Sequence, residues 1–496
     1  MSFEALDGLL REINDLQSIA FVLEWDQLTM LPEEGEGARG RQLTLLSRLM
    51  HARRSSAALR EALDASKALE DEDSARGATV RRARRMSERA SRVPSELQEK
   101  ITDTTTRLYG TWTRAKADED FAAVAPLLKT SLELSRRYAE LFDVDHPLDA
   151  FIDEHDPGFT AASVTALFSE LREGLRPIAQ VLMAAPLPDR AFMERAFPAE
   201  AQLKFSRRLA EAVGYDFSRG RQDLTAHPFM IRLGGGDIRI TTRVTDDPMG
   251  ALFGTVHEAG HALYEQHIDA AYEGTILGHG TSTAVHESQS RLWENIVGRS
   301  EAFWTPHYGA LQDTFRRALG DVPLTQFIRA INAVERSKIR VHADEVTYNL
   351  HIMVRFELER ALLEGTLDVD ELPEAWNARM KEDLDLTIER PSEGVLQDVH
   401  WYCMPIGGAF QGYALGNVMA AQFMEAAESS VPALWRAIAA GDTSKLRRFL
   451  ADAIYRHGSR YTPDELLERV TGGPLRVEPF LNYLRKKFSA LYDLEL

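Results

Sequence analysis

The sequence contains a single cysteine, Cys403, among its 496 residues. One thiol excludes an intrachain disulfide framework and is typical of a protein that works in a reducing compartment. No run of about 18 apolar residues is present, and no Lys/Arg-led apolar segment opens the chain. We therefore expect neither a membrane span nor a signal peptide, and we predict a cytoplasmic protein.

Basic residues are also fewer than acidic ones: the sequence has 58 Lys and Arg and 76 Asp and Glu, which gives a net charge of −18. This imbalance argues against nucleic acid as a general partner. The content of 44% hydrophobic and 27% charged residues is that of a globular protein with an extensive core. Repeats, low-complexity segments and long linkers are lacking too. We expect one domain over residues 1–496, with two helical halves flanking a cleft.

Helical periodicity dominates what is present. Apolar residues at helical spacing predict a helix over residues 1–24, followed by a break at Trp25–Pro32 and a second helix from about Ala38. Residues 229–244 differ, since apolar residues there alternate with polar or small ones on both sides of a glycine turn. That pattern predicts a β-hairpin. The expected fold class is mainly α, with a small β-hairpin or sheet next to the helix described below.

A predicted helix from Pro248 to Ile268 contains the pattern H-E-A-G-H. His257 and His261 are four residues apart and therefore project from one helix face, where both imidazoles reach a single ion. Glu258 lies beside that face, placed to take a proton from a water on the ion. This H-E-x-x-H pattern is typical of zinc peptidases. Three glycines in the helix also suggest close packing against another backbone.

A catalytic zinc site needs a third protein ligand. The next predicted helix begins near Ser282 and contains His286 and Glu287. The glycine-containing loop between the helices lets the second helix fold back onto the first. Glu287 is the natural ligand and His286 the local competitor, since adjacent helical residues point about 100° apart and only one can face the ion.

Two later segments contain polar groups suited to binding. Ile339–Glu345 is predicted to be helical and includes Arg340, whose guanidinium is a planar fork that matches a carboxylate. Gly394–Trp401 contains His400 close to an aromatic ring. A lone histidine of this kind is more often a satisfied core residue than a functional one.

These segments together resemble the M32 family of metallocarboxypeptidases, the thermostable-carboxypeptidase type. The family's blocks occur in order along essentially the whole chain: H-P-F at 227–229, D-I-R-I-T at 237–241, H-E-A-G-H at 257–261, H-E-S-Q-S at 286–290, I-R-V-H-A-D at 339–344 and G-V-L-Q-D-V-H-W at 394–401. The resemblance implies a large, nearly all-helical zinc-peptidase fold with a deep groove, similar to angiotensin-converting enzyme and neurolysin. It also implies a homodimer that removes single C-terminal residues with broad preference.

The same resemblance implies roles for individual residues. His257, His261 and Glu287 would bind zinc, with cobalt as the other candidate ion, and Glu258 would be the general base. Arg340, with Arg239 as a second candidate, would hold the free carboxylate of a peptide substrate, and His400 would be a donor near the scissile carbonyl. The remaining residues of these blocks expected to contact the substrate are His227, Asp237, Thr241, Gln397 and Asp398.

One stretch departs from the family pattern. Where family members have G-Y-F-P-T-Y-x-L-G, this chain has Ala409 in place of the first tyrosine and Gln411 in place of the proline. In related zinc peptidases a tyrosine often helps to stabilise the oxyanion. Tyr413 and Tyr402 are the candidates for that role, and reduced activity is the alternative to both.

Two other functions remain open at this point. A helical zinc oligopeptidase or dipeptidyl carboxypeptidase would share the same ligand pattern. A non-enzymatic peptide-binding scaffold with a structural or inactive zinc site is the second alternative. The presence of Glu258 argues against the scaffold, because a structural site needs no base.

Overall fold

The structure is a computed structural model that describes residues 3–496. The first half of the chain forms α1 (Phe3–Thr29), α2 (Glu36–Arg54), α3 (Ala57–Ala65), α4 (Ala75–Arg92), α5 (Ser95–Asp118), α6 (Ala125–Ala139), α7 (Asp149–His155), α8 (Ala161–Ala184), α9 (Ala199–Val213), β1 (Gln222–Leu224), β2 (Met230–Gly234), β3 (Asp237–Thr242) and α10 (Pro248–Gln266). The second half forms α11 (Thr283–Arg291), α12 (Glu301–Thr314), α13 (Arg316–Leu319), α14 (Leu324–Ile331), α15 (Tyr348–Glu364), α16 (Leu372–Leu384), α17 (His400–Cys403), α18 (Gln411–Ser430), α19 (Leu434–Ala439), α20 (Ser444–Ala453), α21 (Pro463–Thr471) and α22 (Glu478–Tyr492). Within the described residues, no helix combines the length and the hydrophobicity needed to cross a membrane.

The chain divides into two compact units. The first comprises the residues up to Ser91 together with Asp189–Ile331 and Gln422–Pro474. Its central helix is α10, which packs against α9, α11 and β3. A separate apolar cluster joins α1, α3 and α4, and it contains the buried residues Leu6, Leu10, Ile13, Leu59, Ala62, Leu63, Val80 and Ala83.

The second unit comprises Arg92–Pro188, Asn332–Ala421 and Leu475–Leu496. Here α5 packs against α6, α15 against α16, and α8 against α22. α15 is unusual because it contains four fully buried polar or charged residues between apolar neighbours: Asn349, His351, Arg355 and Glu359. Such residues need hydrogen-bond partners, and those of Arg355 form a polar cluster described below.

The predicted hairpin at 229–244 is confirmed, but it is part of a three-stranded sheet. β2 pairs antiparallel with β3, and β1 pairs parallel with the other side of β3, giving the order β1-β3-β2. β1 has only three residues and was not predicted from the sequence. Because β3 is the central strand, both of its edges are already paired.

Two predictions about helices were wrong, one of a helix end and one of a whole helix. α1 continues through the expected break to Thr29, with Trp25 buried on the helix and in edge contact with the Phe229 ring. Residues 339–345 form a single 3₁₀ turn at Arg340–His342 rather than a helix. The side chain of Asp344 accepts the N–H groups of Val346 and Thr347, a local turn that delays the start of α15.

Close packing at the glycines of α10 is confirmed for only one of the three. A Cβ at Gly260 would lie 2.7 Å from the Cα of Ser290 and 2.8 Å from the carbonyl oxygen of Gln289, both on α11. At Gly250 and Gly254 nothing lies within 4 Å of such a Cβ. Gly260 is therefore the point at which the backbones of α10 and α11 touch.

We expect Gly260→Ala to destabilise the protein by about 1–3 kcal/mol, because backbone atoms cannot move aside as a side chain would. Gly254→Ala on the same helix is the matched control, and it should stabilise the helix by about 0.5–1 kcal/mol. Urea unfolding of the metal-free proteins measures both changes. Equal stability of the two variants would contradict the close contact.

Candidate metal centre

α10 begins at Pro248, and the side chain of Asp247 caps it by accepting the N–H of Met249 at 2.9 Å. His257 and His261 lie four residues apart within this helix and therefore on one face. Their ring centroids lie 4.9 Å apart. The two imidazoles are therefore neighbours on a helix that is otherwise largely buried.

α11 brings a carboxylate to the two histidines. Ser282 caps this helix by accepting the N–H of Val285 at 3.1 Å. The Oε2 atom of Glu287 lies 3.7 Å from Nε2 of His257 and 3.4 Å from Nε2 of His261. One ligand atom from each of the three residues lies within 4.8 Å of the others, which fits a single metal ion.

The donor chemistry also fits a metal ion. Each Nε2 points toward Glu287, while each Nδ1 contacts a different group, so the outward nitrogen is occupied and the inward one is available. Two imidazoles and one carboxylate form the ligand set of many catalytic zinc sites, in which a fourth position stays open. In the described residues this is the one group of three or more such side chains close enough to share an ion.

A second carboxylate supports His257 from outside. Oε2 of Glu294 lies 2.9 Å from Nδ1 of His257, and Glu294 also pairs with Arg291 at 3.2 Å and Arg299 at 3.4 Å. Burial alone would raise the pKa of Glu294, but Arg291 and His257 hold it at about 2. Glu294 lies in a π-helical segment, Leu292–Val297, that directly continues α11. Glu294 was not predicted from the sequence, although it follows Glu287 by seven positions, or about two helical turns.

His286 does not join the three-residue group. Its Nδ1 lies 2.8 Å from Nδ1 of His261, and its Nε2 lies 2.9 Å from Oε1 of Glu265. The side chain therefore contacts the outer nitrogen of His261 rather than the position between the three ligand atoms. Glu265 was not singled out by the sequence analysis.

Glu258 is buried, with 6% of its surface exposed. Burial raises the pKa of its carboxyl to about 7, an effect that the nearby His257 opposes. A carboxyl group with a pKa near neutrality can both accept and return a proton at physiological pH. Its position next to His257 on α10 keeps it beside the face that carries His257 and His261.

The segments around Arg340 and Asp398 form a separate polar cluster in the second unit. Asp398 accepts from Nε of Arg340 at 3.0 Å and from Nη2 at 2.6 Å, and it also accepts from Nε of Arg355. The Oε1 atom of Gln397 accepts the backbone N–H of Arg340 at 2.9 Å and Nη2 of Arg355 at 2.8 Å. Arg355 was missed in the sequence; its only signal was an arginine in the apolar stretch H-I-M-V-R-F.

This cluster has more positive than negative charge. Two buried arginines face one buried carboxylate, and they hold the pKa of Asp398 well below its usual range despite burial. Burial lowers the pKa of His351 to about 3 and that of His400 to about 4, so neither histidine adds charge at neutral pH. One positive charge is left over.

The two candidate tyrosines have different surroundings. The hydroxyl of Tyr413 lies 3.3 Å from Nε2 of His400, and the guanidinium of Arg340 lies 5.3 Å from the Tyr413 ring centre. Tyr402 is fully buried, donates its hydroxyl to the carbonyl of Val395 at 2.9 Å and stacks on Trp112. Tyr413 is therefore the tyrosine that lies with Arg340 and His400.

The hairpin residues form a third group. Arg239 is paired with Asp237 through two contacts of 2.8 and 2.7 Å, and its guanidinium lies over the ring of Trp25. Thr241 is buried and exchanges hydrogen bonds with the backbone of Phe229. His227 lies exposed in the loop before β2.

Comparisons with known proteins show what the whole chain is similar to. The sequence profile of the Carboxypeptidase Taq (M32) metallopeptidase family matches residues 5–488. Thermostable carboxypeptidase 1 of Thermus thermophilus is 41% identical over 506 residues, covering 99% of each chain, and Carboxypeptidase 1 of Bacillus subtilis is 35% identical over 490 residues, covering 98% of each. The crystal structure of the M32 carboxypeptidase from Deinococcus radiodurans R1 superposes with a TM-score of 0.96 at 47% identity, covering 99% of both chains.

Proposed function

This chain belongs to the Carboxypeptidase Taq (M32) family of metallopeptidases, and we propose that it releases single C-terminal residues from peptides, with broad preference for their side chains. It is a metallocarboxypeptidase, so its substrates are peptides. The observation that carries the proposal is the group of His257, His261 and Glu287, with Glu258 buried beside it.

His257, His261 and Glu287 would hold the metal, and their donor set favours zinc, with cobalt as the alternative. When bound, the ion would polarise the substrate carbonyl and make water acidic enough to lose a proton near neutral pH. Glu258 would take that proton and return it to the leaving amine. Its burial supports the role, because a desolvated carboxylate is a stronger base than an exposed one.

We expect removal of the metal by a chelator to abolish peptide hydrolysis, and stoichiometric Zn²⁺ or Co²⁺ to restore it. The measurement is the hydrolysis rate of an N-blocked peptide before stripping, after stripping and after refilling, with metal content determined alongside. Undiminished turnover by fully stripped protein would refute the proposal.

Glu258→Gln should retain the metal but lower kcat by about 10²–10⁴, because an amide cannot accept the proton. Full metal occupancy is the internal control, since it separates loss of the base from loss of the ion. Turnover close to wild type at full occupancy would assign the base to another residue.

Arg340 is the proposed ligand of the substrate carboxylate. Support comes from the surplus positive charge of the cluster of Arg340, Arg355 and Asp398, which one incoming carboxylate would neutralise. Arg239 is the weaker candidate, because Asp237 already balances its charge. Four further residues would contribute to substrate binding: Gln397, Asp398, Thr241 and His227. The side chains of His400 and Tyr413 would donate hydrogen bonds to the oxyanion.

An N-blocked peptide with a free C-terminus should be cleaved with a kcat/KM about 10² or more above that of its amidated counterpart, since hydrogen bonds to charged groups contribute about 1.5–3 kcal/mol each. Arg340→Ala should largely remove this discrimination, and Arg340→Lys should recover only part of it. The ratio of the two substrates on one enzyme is independent of the folded fraction, so it tolerates some destabilisation.

The comparison of free and amidated peptides also tests the alternative assignments. Discrimination preserved in Arg340→Ala, but lost in the matched variant Arg239→Ala, would transfer the role to Arg239. Equal cleavage of both peptides by the wild type would favour the oligopeptidase alternative, as would release of dipeptides.

We further propose that the protein is a cytoplasmic homodimer forming one peptidase domain over residues 1–496. The single cysteine supports a reducing compartment. The uninterrupted family match across both units supports one domain. The dimer follows from the family resemblance, and a monomeric mass in light scattering would refute it.

A further inference from the structure

His286 stands next to Glu287 in the sequence, yet its imidazole faces His261. The two Nδ1 atoms are 2.8 Å apart, a hydrogen-bond distance between two ring nitrogens. The other histidine on α10 differs, because the Nδ1 of His257 contacts the carboxylate of Glu294 directly. The Nδ1 atom of His261 thus contacts an imidazole, whereas the Nδ1 atom of His257 contacts a carboxylate.

A hydrogen bond between two Nδ1 atoms holds one hydrogen, and two arrangements are available. If His261 carries it, the Nε2 lone pair of His261 is free to bind a metal. If His286 carries it, the neutral His261 must bear its hydrogen on Nε2, the atom that faces Glu287. Only the first arrangement is compatible with metal binding by His261. The group that determines which nitrogen of His286 is protonated therefore also determines which nitrogen of His261 is free to bind a metal.

Glu265 fixes it. The Oε1 atom of this buried carboxylate lies 2.9 Å from Nε2 of His286 and also accepts the backbone N–H of Gly280 at 2.8 Å. Arg232 on β2 lies 3.7 Å from Oε2 and keeps a positive charge beside the carboxylate. An ionised carboxylate only accepts hydrogen bonds, so Nε2 of His286 must donate. Nδ1 of a neutral His286 is then an acceptor.

The surroundings hold His286 in this orientation. A Cβ on Gly280 would lie 2.5 Å from Cδ2 and 2.9 Å from Nε2 of His286, so the loop backbone lies directly against the ring. The ring of Tyr264 packs on another side, with centroids 5.1 Å apart. The imidazole therefore has little freedom to turn away from His261.

We propose that His286 is a positioning residue for the metal centre: oriented by Glu265, it accepts the Nδ1 hydrogen of His261 and so directs the Nε2 lone pair of His261 toward the ion. This inference rests on the proposed assignment of His261 as a metal ligand. Hydrogen-bond partners of metal-bound histidines commonly change metal affinity 10- to 100-fold when removed.

The test compares two replacements of His286. Leucine keeps much of the bulk but accepts no hydrogen bond, whereas the amide of glutamine can accept from His261 and donate to Glu265. We expect His286→Leu to raise the Zn²⁺ dissociation constant about 10- to 100-fold and His286→Gln to restore most of the affinity. Competition with a chromophoric chelator measures the constants, without reference to activity.

Two controls separate the possible failures. His267→Leu removes another partly buried imidazole from the end of α10, whose Nδ1 contacts the carbonyl of Leu263, and it should leave Zn²⁺ affinity unchanged. His261→Ala should nearly abolish binding. If His261→Ala binds normally, the ligand assignment itself fails. If His261→Ala loses the metal while His286→Leu binds as tightly as wild type, only the present inference is overturned.

Nitrogen-15 NMR of histidine-labelled, zinc-loaded protein tests the hydrogen positions directly. His261 should be protonated at Nδ1, and His286 should be protonated at Nε2 with an unprotonated Nδ1; signals lost in His286→Gln identify the latter. A proton on Nδ1 of His286 in the zinc-loaded protein would overturn the mechanism.

Discussion

The contact between α10 and α11 at Gly260 is the constraint on which the proposed metal centre depends. The two histidines of α10 supply only two of the three proposed ligands, so the third must come from a different element. Glu287 lies beside them because the backbone of α11 lies against α10 with no side chain between them. A wider separation would move its carboxylate beyond the 3.4–3.7 Å that now separates it from the two Nε2 atoms. The glycine costs helix stability but sets the geometry of the site.

Close approach creates a second requirement, since it buries several carboxylates together. Glu287, Glu294 and Glu265 are all buried, and an isolated buried charge is costly. Each is paired with arginine or histidine: Arg291 contacts both Glu287 and Glu294 at 2.7 and 3.2 Å. Arg291 holds the pKa of Glu287 well below its usual value against the effect of burial. The buried carboxylates of the centre are thus paired with arginine and histidine side chains of the same chain.

Local patterns in the sequence predicted the local parts of this arrangement. The caps at Asp247 and Ser282, the four-residue spacing of the histidines and the hairpin all follow from neighbouring residues. The sequence could not reveal that Asp398 pairs with Arg355, because those side chains meet only through the tertiary fold, 43 positions apart. The same limit explains the glycines: their spacing on α10 was visible, but only tertiary packing distinguishes Gly260 from Gly250 and Gly254. The helix expected at 339–345 failed for a local reason, the turn made by the Asp344 side chain.

The surplus positive charge of the Arg340 cluster fits the proposed recognition of a substrate carboxylate. Burying two guanidinium groups with one carboxylate is unfavourable in the free protein, and a fully apolar replacement of such groups is often more stable. A substrate carboxylate that joins the cluster would compensate this charge. The guanidinium groups that it would meet are already desolvated and held in place by Asp398 and Gln397. A binding partner then meets a pre-oriented cation and loses little to reorganisation. Asp398 therefore does more than balance charge: by occupying Nε and Nη2 of Arg340, it leaves Nη1 as the donor directed toward the hydroxyl of Tyr348. A carboxylate bound there would accept from Nη1 of Arg340 and from neighbouring hydroxyl groups, a geometry that an amidated terminus matches poorly.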